Sequence, residues 1–221
     1  MSEPSRLSRR RFLLLAAALG ATPGLLAAAE RLLRTPRQSR GPFYPLELPL
    51  DSDNDLTRVK GQAGVARGEI TDVVGRILDE HGRPVAKARV EIWQCDANGR
   101  YHHPHDAGGE DRDPNFQGYG QYLTGDDGAY RFRTIKPVPY PGRAPHIHFT
   151  VSGPGIEPLT TQMYVRGAPE NAGDFLLNAV RDPAARAALV VPFEPSPAPA
   201  EARWLAPFDL VLVADARFGR G

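Results

Sequence analysis

From Glu69 onward the chain is cut into short alternating segments by glycine, proline and aspartate, and this spacing leaves room for strands but not for long helices. Residues 70–78 read as a strand, "DEHGRP" as a turn, and residues 88–93 alternate apolar and polar until Ala97-Asn98-Gly99 breaks the pattern. "GQYLT", the turn Gly125-Asp126-Asp127-Gly128 and "AYRFRTI" read as a hairpin, with Tyr130, Phe132 and Thr134 facing away from Arg131, Arg133 and Ile135. Further strands are expected at 146–152, 160–165 and 208–213; only 173–190 looks helical, and "EPSPAPAEA" reads as a loop. Many short strands, little helix and no fixed-period repeat predict an all-β fold, a β-sandwich core of mostly antiparallel strands with long loops.

With 221 residues and 41% hydrophobic content, the chain is long enough for one well-buried domain. Its 27 basic and 26 acidic residues leave a formal charge of +1 and no basic stripe, which argues against a nucleic-acid partner. Ser8-Arg9-Arg10-Arg11-Phe12-Leu13, an apolar run and the small residues Ala27-Ala28-Ala29 resemble a twin-arginine export signal cleaved before Glu30. Residues 1–29 are therefore expected to direct the chain to the periplasm or outside the cell, leaving no stable membrane span after cleavage. A short amphipathic or membrane-anchoring helix is the other reading. Because that export route carries folded cargo, often with its cofactor already bound, it favours a metal or redox site. Residues 30–67 form a polar, proline-bearing arm ahead of the sandwich at 68–221. In the arm, Asp51, Asp53 and Asp55 lack the glycine and glutamate of an EF-hand loop and read as a solvated turn. Cys95 is the sole cysteine, so no disulfide forms within the chain; it is expected to be a small buried residue and not a nucleophile.

Chemistry concentrates in "PYPGRAPHIHFT", residues 139–150. In a strand, His146 and His148 project from one face about 6.5 to 7 Å apart, while Ile147 and Phe149 project from the other. That spacing suits two imidazoles on one metal, and equally two surface or hydrogen-bonded histidines. Pro141 and Pro145 restrict the backbone leading into the strand, which limits how far Tyr140 and Arg143 stray from the histidines. Taken alone, Tyr140 reads either as a site residue or as packing in a rigid turn. A further tyrosine, Tyr101, follows Asn98-Gly99-Arg100 at the end of an expected strand.

"VEIWQCDANGRYHH", "GQYLTGDDGAYRFRTIKPVPYPGRAPHIHF", "TTQMYV" and "GPFYP" together resemble the catalytic domain of the intradiol ring-cleavage dioxygenases, most closely the protocatechuate 3,4-dioxygenase branch, over roughly residues 36–165. The resemblance implies a mononuclear non-haem Fe(III) held by Tyr101, Tyr140, His146 and His148. It further implies Arg143 as a catalytic cation, Gln162 beside the pocket, and Tyr140 as the ligand that gives way to substrate and helps deprotonate it. A catechol-type substrate and O2 are the implied partners, with cleavage between the two hydroxyl-bearing carbons giving a muconate-type diacid. Ligand chemistry agrees: holding one tyrosine ionised at neutral pH costs about 4 kcal/mol, which hard Fe(III) offsets better than zinc does. His102, His103 and His105 are expected at the pocket rim or in solvent. Two departures stand out. Only five residues separate Tyr140 from His146, fewer than in the well-known protocatechuate enzymes, and the helical N-terminal dimerisation domain of catechol and hydroxyquinol dioxygenases is missing. A non-catalytic β-sandwich binding module, and a zinc or copper protein using His146, His148 and one upstream histidine, stay open as alternatives. Ring substituents, oligomer state and any second subunit are not fixed by the sequence.

Overall fold

The computed structural model describes residues 31–49, 51–106, 111–199, 201–215 and Arg217; the export signal expected at 1–29 lies outside them. Two five-stranded sheets pack face to face. In the first, β1 (Ile70–Asp79) pairs antiparallel with β4 (Ala129–Ile135) along one edge. Its other edge takes β9 (Trp204–Pro207) and then β10 (Leu210–Leu212), both parallel, and β8 (Glu194–Pro195) lies outside β9. The second sheet runs in the order β3 (Tyr119–Leu123), β2 (Arg89–Trp93), β5 (His146–Ser152), β6 (Leu159–Val165), β7 (Val190–Val191). The all-β sandwich expected from the punctuation is the observed architecture, with parallel pairs added at β9, β10 and β7.

Alternation decides what each face meets. Val90 and Ile92 of β2 and Ile147, Phe149 and Val151 of β5 join Val73, Ile77, Phe132 and Leu210 in the core between the sheets. Each such fully buried side chain contributes about 1.5–3 kcal/mol of transfer free energy. The opposite faces of β2 and β5 carry Trp93, His146 and His148, and these too are buried, under loops and the N-terminal arm.

Three expectations are corrected. The two segments read as a hairpin, β3 and β4, do not pair with each other: β3 bonds β2 in one sheet and β4 bonds β1 in the other, so the Gly125–Gly128 turn bridges the layers. Short-range pattern gives strand and turn but cannot say whether the chain returns in the same sheet. The helix expected over 173–190 is two short ones, α1 (Phe175–Asn178) and α2 (Pro183–Ala188). Asp174 and Asp182 cap their N-termini, and Pro183, lacking an N–H, forces a new start there. The loop "EPSPAPAEA" holds the edge strand β8, and β9 just after it had no strand expectation; Pro207 ends that strand. In the arm, the acidic run forms local turns, with Asp53 accepting from the Asp55 N–H and Asp55 from the Thr57 N–H.

One close approach holds the first sheet together. Between β9 and β10 the chain steps aside at Phe208, whose carbonyl accepts from the Tyr130 hydroxyl at 2.5 Å. Gly75 of β1 lies against that same carbonyl, and a Cβ there would collide with it. Gly75→Ala is therefore expected to cost about 1–3 kcal/mol of stability, read as a lower urea midpoint. An unchanged midpoint would mean that β9 and β10 can move aside freely.

Candidate active site

Cross-strand register sets the site on the outer face of the second sheet. Tyr119, Trp93, His148 and Gln162 lie side by side across four strands, and His146 pairs with Tyr164 one step along. The Trp93 indole stacks on the His148 ring, centroids 4.7 Å apart and planes 7° from parallel. Over this row runs the arm. Gln38 donates its backbone N–H to the Thr160 carbonyl, and the Gln162 side-chain amide donates to the Ser39 carbonyl at 3.0 Å. Phe43 then stacks on Tyr101 at 4.7 Å, and Tyr44 meets Trp93 edge-on. Gly41, at φ 71°, passes so close to His148 that a side chain there would press on the imidazole.

Tyr101 is fixed by the turn after β2. The buried Asp96 carboxylate accepts the N–H groups of Asn98 and Arg100 and, with its other oxygen, that of Asp113. Gly99, at φ 75°, closes the turn, and the Asp106 carboxylate accepts the Tyr101 N–H. Tyr140 opens a tight turn in which the Arg143 N–H donates back to its carbonyl at 2.9 Å, with Gly142 at φ 80°. The two phenols and two imidazoles meet: His146 Nε2 lies 3.2 Å from His148 Nε2 and 3.4 Å from the Tyr101 hydroxyl, and the rings of Tyr101 and Tyr140 are 5.7 Å apart.

Burial dominates the electrostatics. It pushes His146 down to about 4 and, together with the neighbouring His146 and Arg143, holds His148 well below the usual histidine range, so both rings are neutral at pH 7. The Ala144 carbonyl accepts from His146 Nδ1 at 2.6 Å, which leaves the Nε2 lone pair turned into the cluster. Burial likewise raises the Tyr101 hydroxyl well above its ordinary value and raises that of Tyr140, where Arg143 and a hydrogen bond from Tyr101 oppose it. Tyr101 is buried, whereas Tyr140 stands half-exposed at the edge of a cavity of about 360 Å³ lined by Pro139, Tyr140, Gly142, Arg143, Pro169 and Glu170. A larger cavity of about 550 Å³ around Arg166 and Arg186 touches none of these groups.

Arg143 is not the surface ion pair that its charge alone allowed. Its guanidinium side chain is 9% exposed; Nε donates to the fully buried Asp174 carboxylate at 2.9 Å and Nη2 to Gln162 Oε1 at 2.5 Å. Tyr140 and Tyr164 hydroxyls lie 3.4 Å away. Gln162 thus joins the site and is more than a strand position. All six expected residues, Tyr101, Tyr140, Arg143, His146, His148 and Gln162, come together. Of the upstream histidines, His102 and His105 are exposed as expected, but His103 is buried beneath Phe43, a correction that follows from the arm folding back over it. Among the described residues no three His, Cys, Asp or Glu side chains gather as a metal cluster. Cys95 is buried beneath Tyr101, and burial pushes its thiol up to about 12, as expected for a packing residue.

Sequence reasoning missed Asp174, Trp93, Tyr164 and Phe43. Asp174 carried a signal as the cap before "FLLN", yet its second oxygen reaches Arg143 and the Ala144 N–H 30 residues back, which only the fold reveals.

A family model described as "Dioxygenase" matches residues 40–214. The chain is 42% identical over 163 residues to the protocatechuate 3,4-dioxygenase beta chain of Burkholderia cepacia, covering 70% of this chain and 68% of that one. It is 30% identical over 182 residues to hydroxyquinol 1,2-dioxygenase of Corynebacterium glutamicum, covering 73% of this chain and 57% of the relative's length. Among solved structures, the dioxygenase domain of a dioxygenase and carbohydrate-binding protein fusion from Streptomyces sp. SirexAA-E superposes with a TM-score of 0.60 at 30% identity, over 82% of this chain and 99% of that one. With most of its length matched, the chain belongs to the intradiol ring-cleavage dioxygenases, a family of enzymes.

Asp174 ties two elements by charge, and its stability contribution should depend on pH. Burial raises its carboxyl, but the Leu177 and Ala144 N–H groups and the Arg143 guanidinium outweigh that and hold it below the usual carboxylate value near 3.8. A depressed carboxylate contributes stability that is fully present above its unfolded value and is lost as pH falls through the folded one. Asp174→Asn is expected to cost about 3 kcal/mol or more at pH 7 by stranding a buried guanidinium. That deficit should shrink below about pH 4. Urea titrations at pH 7 and pH 3 compare the two proteins, and a deficit equal at both would show that the charge is not what Asp174 contributes.

Proposed function

We propose that this protein is an exported non-haem Fe(III) dioxygenase that opens a catechol-type ring between its two hydroxyl-bearing carbons, using O2 and giving a muconate-type diacid. The observation that carries the proposal is the convergence of Tyr101, Tyr140, His146 and His148 in one buried cluster beside an open cavity. Its donor set fits ferric iron: two neutral imidazoles supply lone pairs, and two phenols become strong anionic donors only beside a highly charged cation. Buried without one, Tyr101 resists ionisation.

Tyr101, Tyr140, His146 and His148 would hold the metal. Ferric iron bound there would be chelated by the catechol dianion and would activate its ring toward O2. The chain's own residues divide the remaining work. Tyr101, packed under Phe43 and pinned through its backbone to Asp106, is placed to stay. Tyr140, half-exposed at the cavity edge, is placed to swing out and accept a substrate proton on its phenolate oxygen. Arg143, held by Asp174 and Gln162, sets a fixed cation beside the ring as negative charge develops on it. The arm closes the far side and keeps bulk water away. The arm at 30–67 and the sandwich at 68–221 accordingly work as one catalytic unit, and the signal at 1–29 would be removed on export. Names such as protocatechuate and hydroxyquinol 1,2-dioxygenase support the catechol class.

Iron-loaded protein is expected to be coloured by phenolate-to-metal charge transfer, to change colour on adding a catechol, and to release a ring-opened diacid identified by mass spectrometry. Tyr101→Phe and Tyr140→Phe should each weaken the colour by removing one phenolate donor, and Tyr140→Phe should also lose turnover by at least about a hundredfold, the lower range for a positioned base. Colourless, iron-free protein after reconstitution would sink the proposal, as would products cleaved outside the diol.

A further inference from the structure

Charge around the cavity beside Tyr140 and Arg143 constrains what ring substituent it admits. Two side chains with formal charge line it, Arg143 and Glu170. Most of the Arg143 donors are taken: Asp174 accepts from Nε, Gln162 and the Tyr164 hydroxyl lie at Nη2, and the Tyr140 hydroxyl lies at Nη1. With the buried Asp174 carboxylate 2.9 Å away, the arginine is half of a neutral pair. Glu170 stands exposed on the short 3₁₀ turn Pro169–Ala172 at the cavity wall, and no ion pair to it is found among the described residues. The rest of the lining, Pro139, Gly142, Pro169 and Gly173, carries no charge. The protein part of the mouth is therefore net negative, and a low-dielectric wall focuses that field onto whatever enters.

We infer that this site, on the proposed dioxygenase reading, selects catechols whose ring substituent is neutral or cationic and discriminates against those bearing a carboxylate, with Glu170 as the discriminating residue. A substrate must place its two hydroxyls inward at the Tyr–His cluster, so its substituent projects outward through this cavity. A carboxylate there meets the Glu170 carboxylate and a guanidinium whose charge Asp174 already balances; an amide, alkyl or ammonium group meets no such repulsion. The effect is long-range and partly solvent-screened, so it alters substrate preference more than it alters the chemical step.

The test compares 3,4-dihydroxybenzoate with 3,4-dihydroxybenzamide, a pair nearly matched in size and differing in charge, on the iron-loaded full chain. The readout is the ratio of kcat/KM for acid over amide, from oxygen uptake. Glu170→Gln is expected to raise that ratio about three- to tenfold and Glu170→Lys to raise it further, with both gains shrinking as salt goes from about 20 to 500 mM. Comparing that ratio between each variant and the unsubstituted protein cancels the electronic difference between the two rings. A ratio unmoved by either substitution, or moved equally at both salt concentrations, overturns the inference. Absence of oxygen uptake with both compounds and with catechol itself would instead remove the dioxygenase reading. Dissociation constants for the same pair, measured by calorimetry on each variant, then decide the charge preference independently of turnover.

Discussion

The two-residue period of β5 is the constraint on which the rest of the molecule depends. Because successive side chains leave a strand on opposite faces, one seven-residue segment supplies Ile147, Phe149 and Val151 to the core between the sheets and His146 and His148 to the far side. The sandwich core then anchors the histidines without enclosing them: their rings lie outside it, covered by loops and the arm. A single-residue slip in register would send the imidazoles into the apolar core and destroy both stability and site together.

The outer chamber works as a second small core with different requirements. Trp93, Cys95, Tyr101 and Tyr119 pack with Phe43, Tyr44, Val138 and Tyr140, so aromatic surface excludes water while the polar tips converge. Rigidity comes from backbone turns held by buried carboxylates. Asp96 organises the loop that delivers Tyr101, and Asp174 at once caps α1, bonds the Ala144 N–H before the histidine strand, and orients Arg143. Each carboxylate is buried but surrounded by donors, the condition under which a buried charge is tolerable. In the proposed reaction such preorganisation matters because Arg143 must already be in place when charge appears on the ring.

Sandwich class and the strands at 70–78, 129–135, 146–152 and 160–165 were legible in the chain because they rest on local pattern, alternation within strands and turn chemistry at glycine and proline. The six clustered residues were legible only through the resemblance to a known family, since pattern alone left the histidines and Tyr140 open to a structural reading. What escaped reading was pairing. The turn at 125–128 looks the same whether its strands share a sheet or bridge two, and only the competing partners β1 and β2 decided for bridging. Strand β9 was hidden because "WLAP" is too short to announce itself; its pairing with β1 is what makes it a strand. His103 was misjudged for the same reason, since burial by Phe43 comes from a segment 60 residues earlier.

By itself, then, the sequence determined the alternating strands, the paired histidines and the nearby Tyr140, because backbone sterics and side-chain type act over a few residues at a time. Tertiary structure alone decided that these groups meet on the outer face, that the arm closes over them, and that Asp174 balances the charge of Arg143. Those relations join residues tens of positions apart. Their energies depend on distance and burial in space, quantities the order of residues along the chain does not contain.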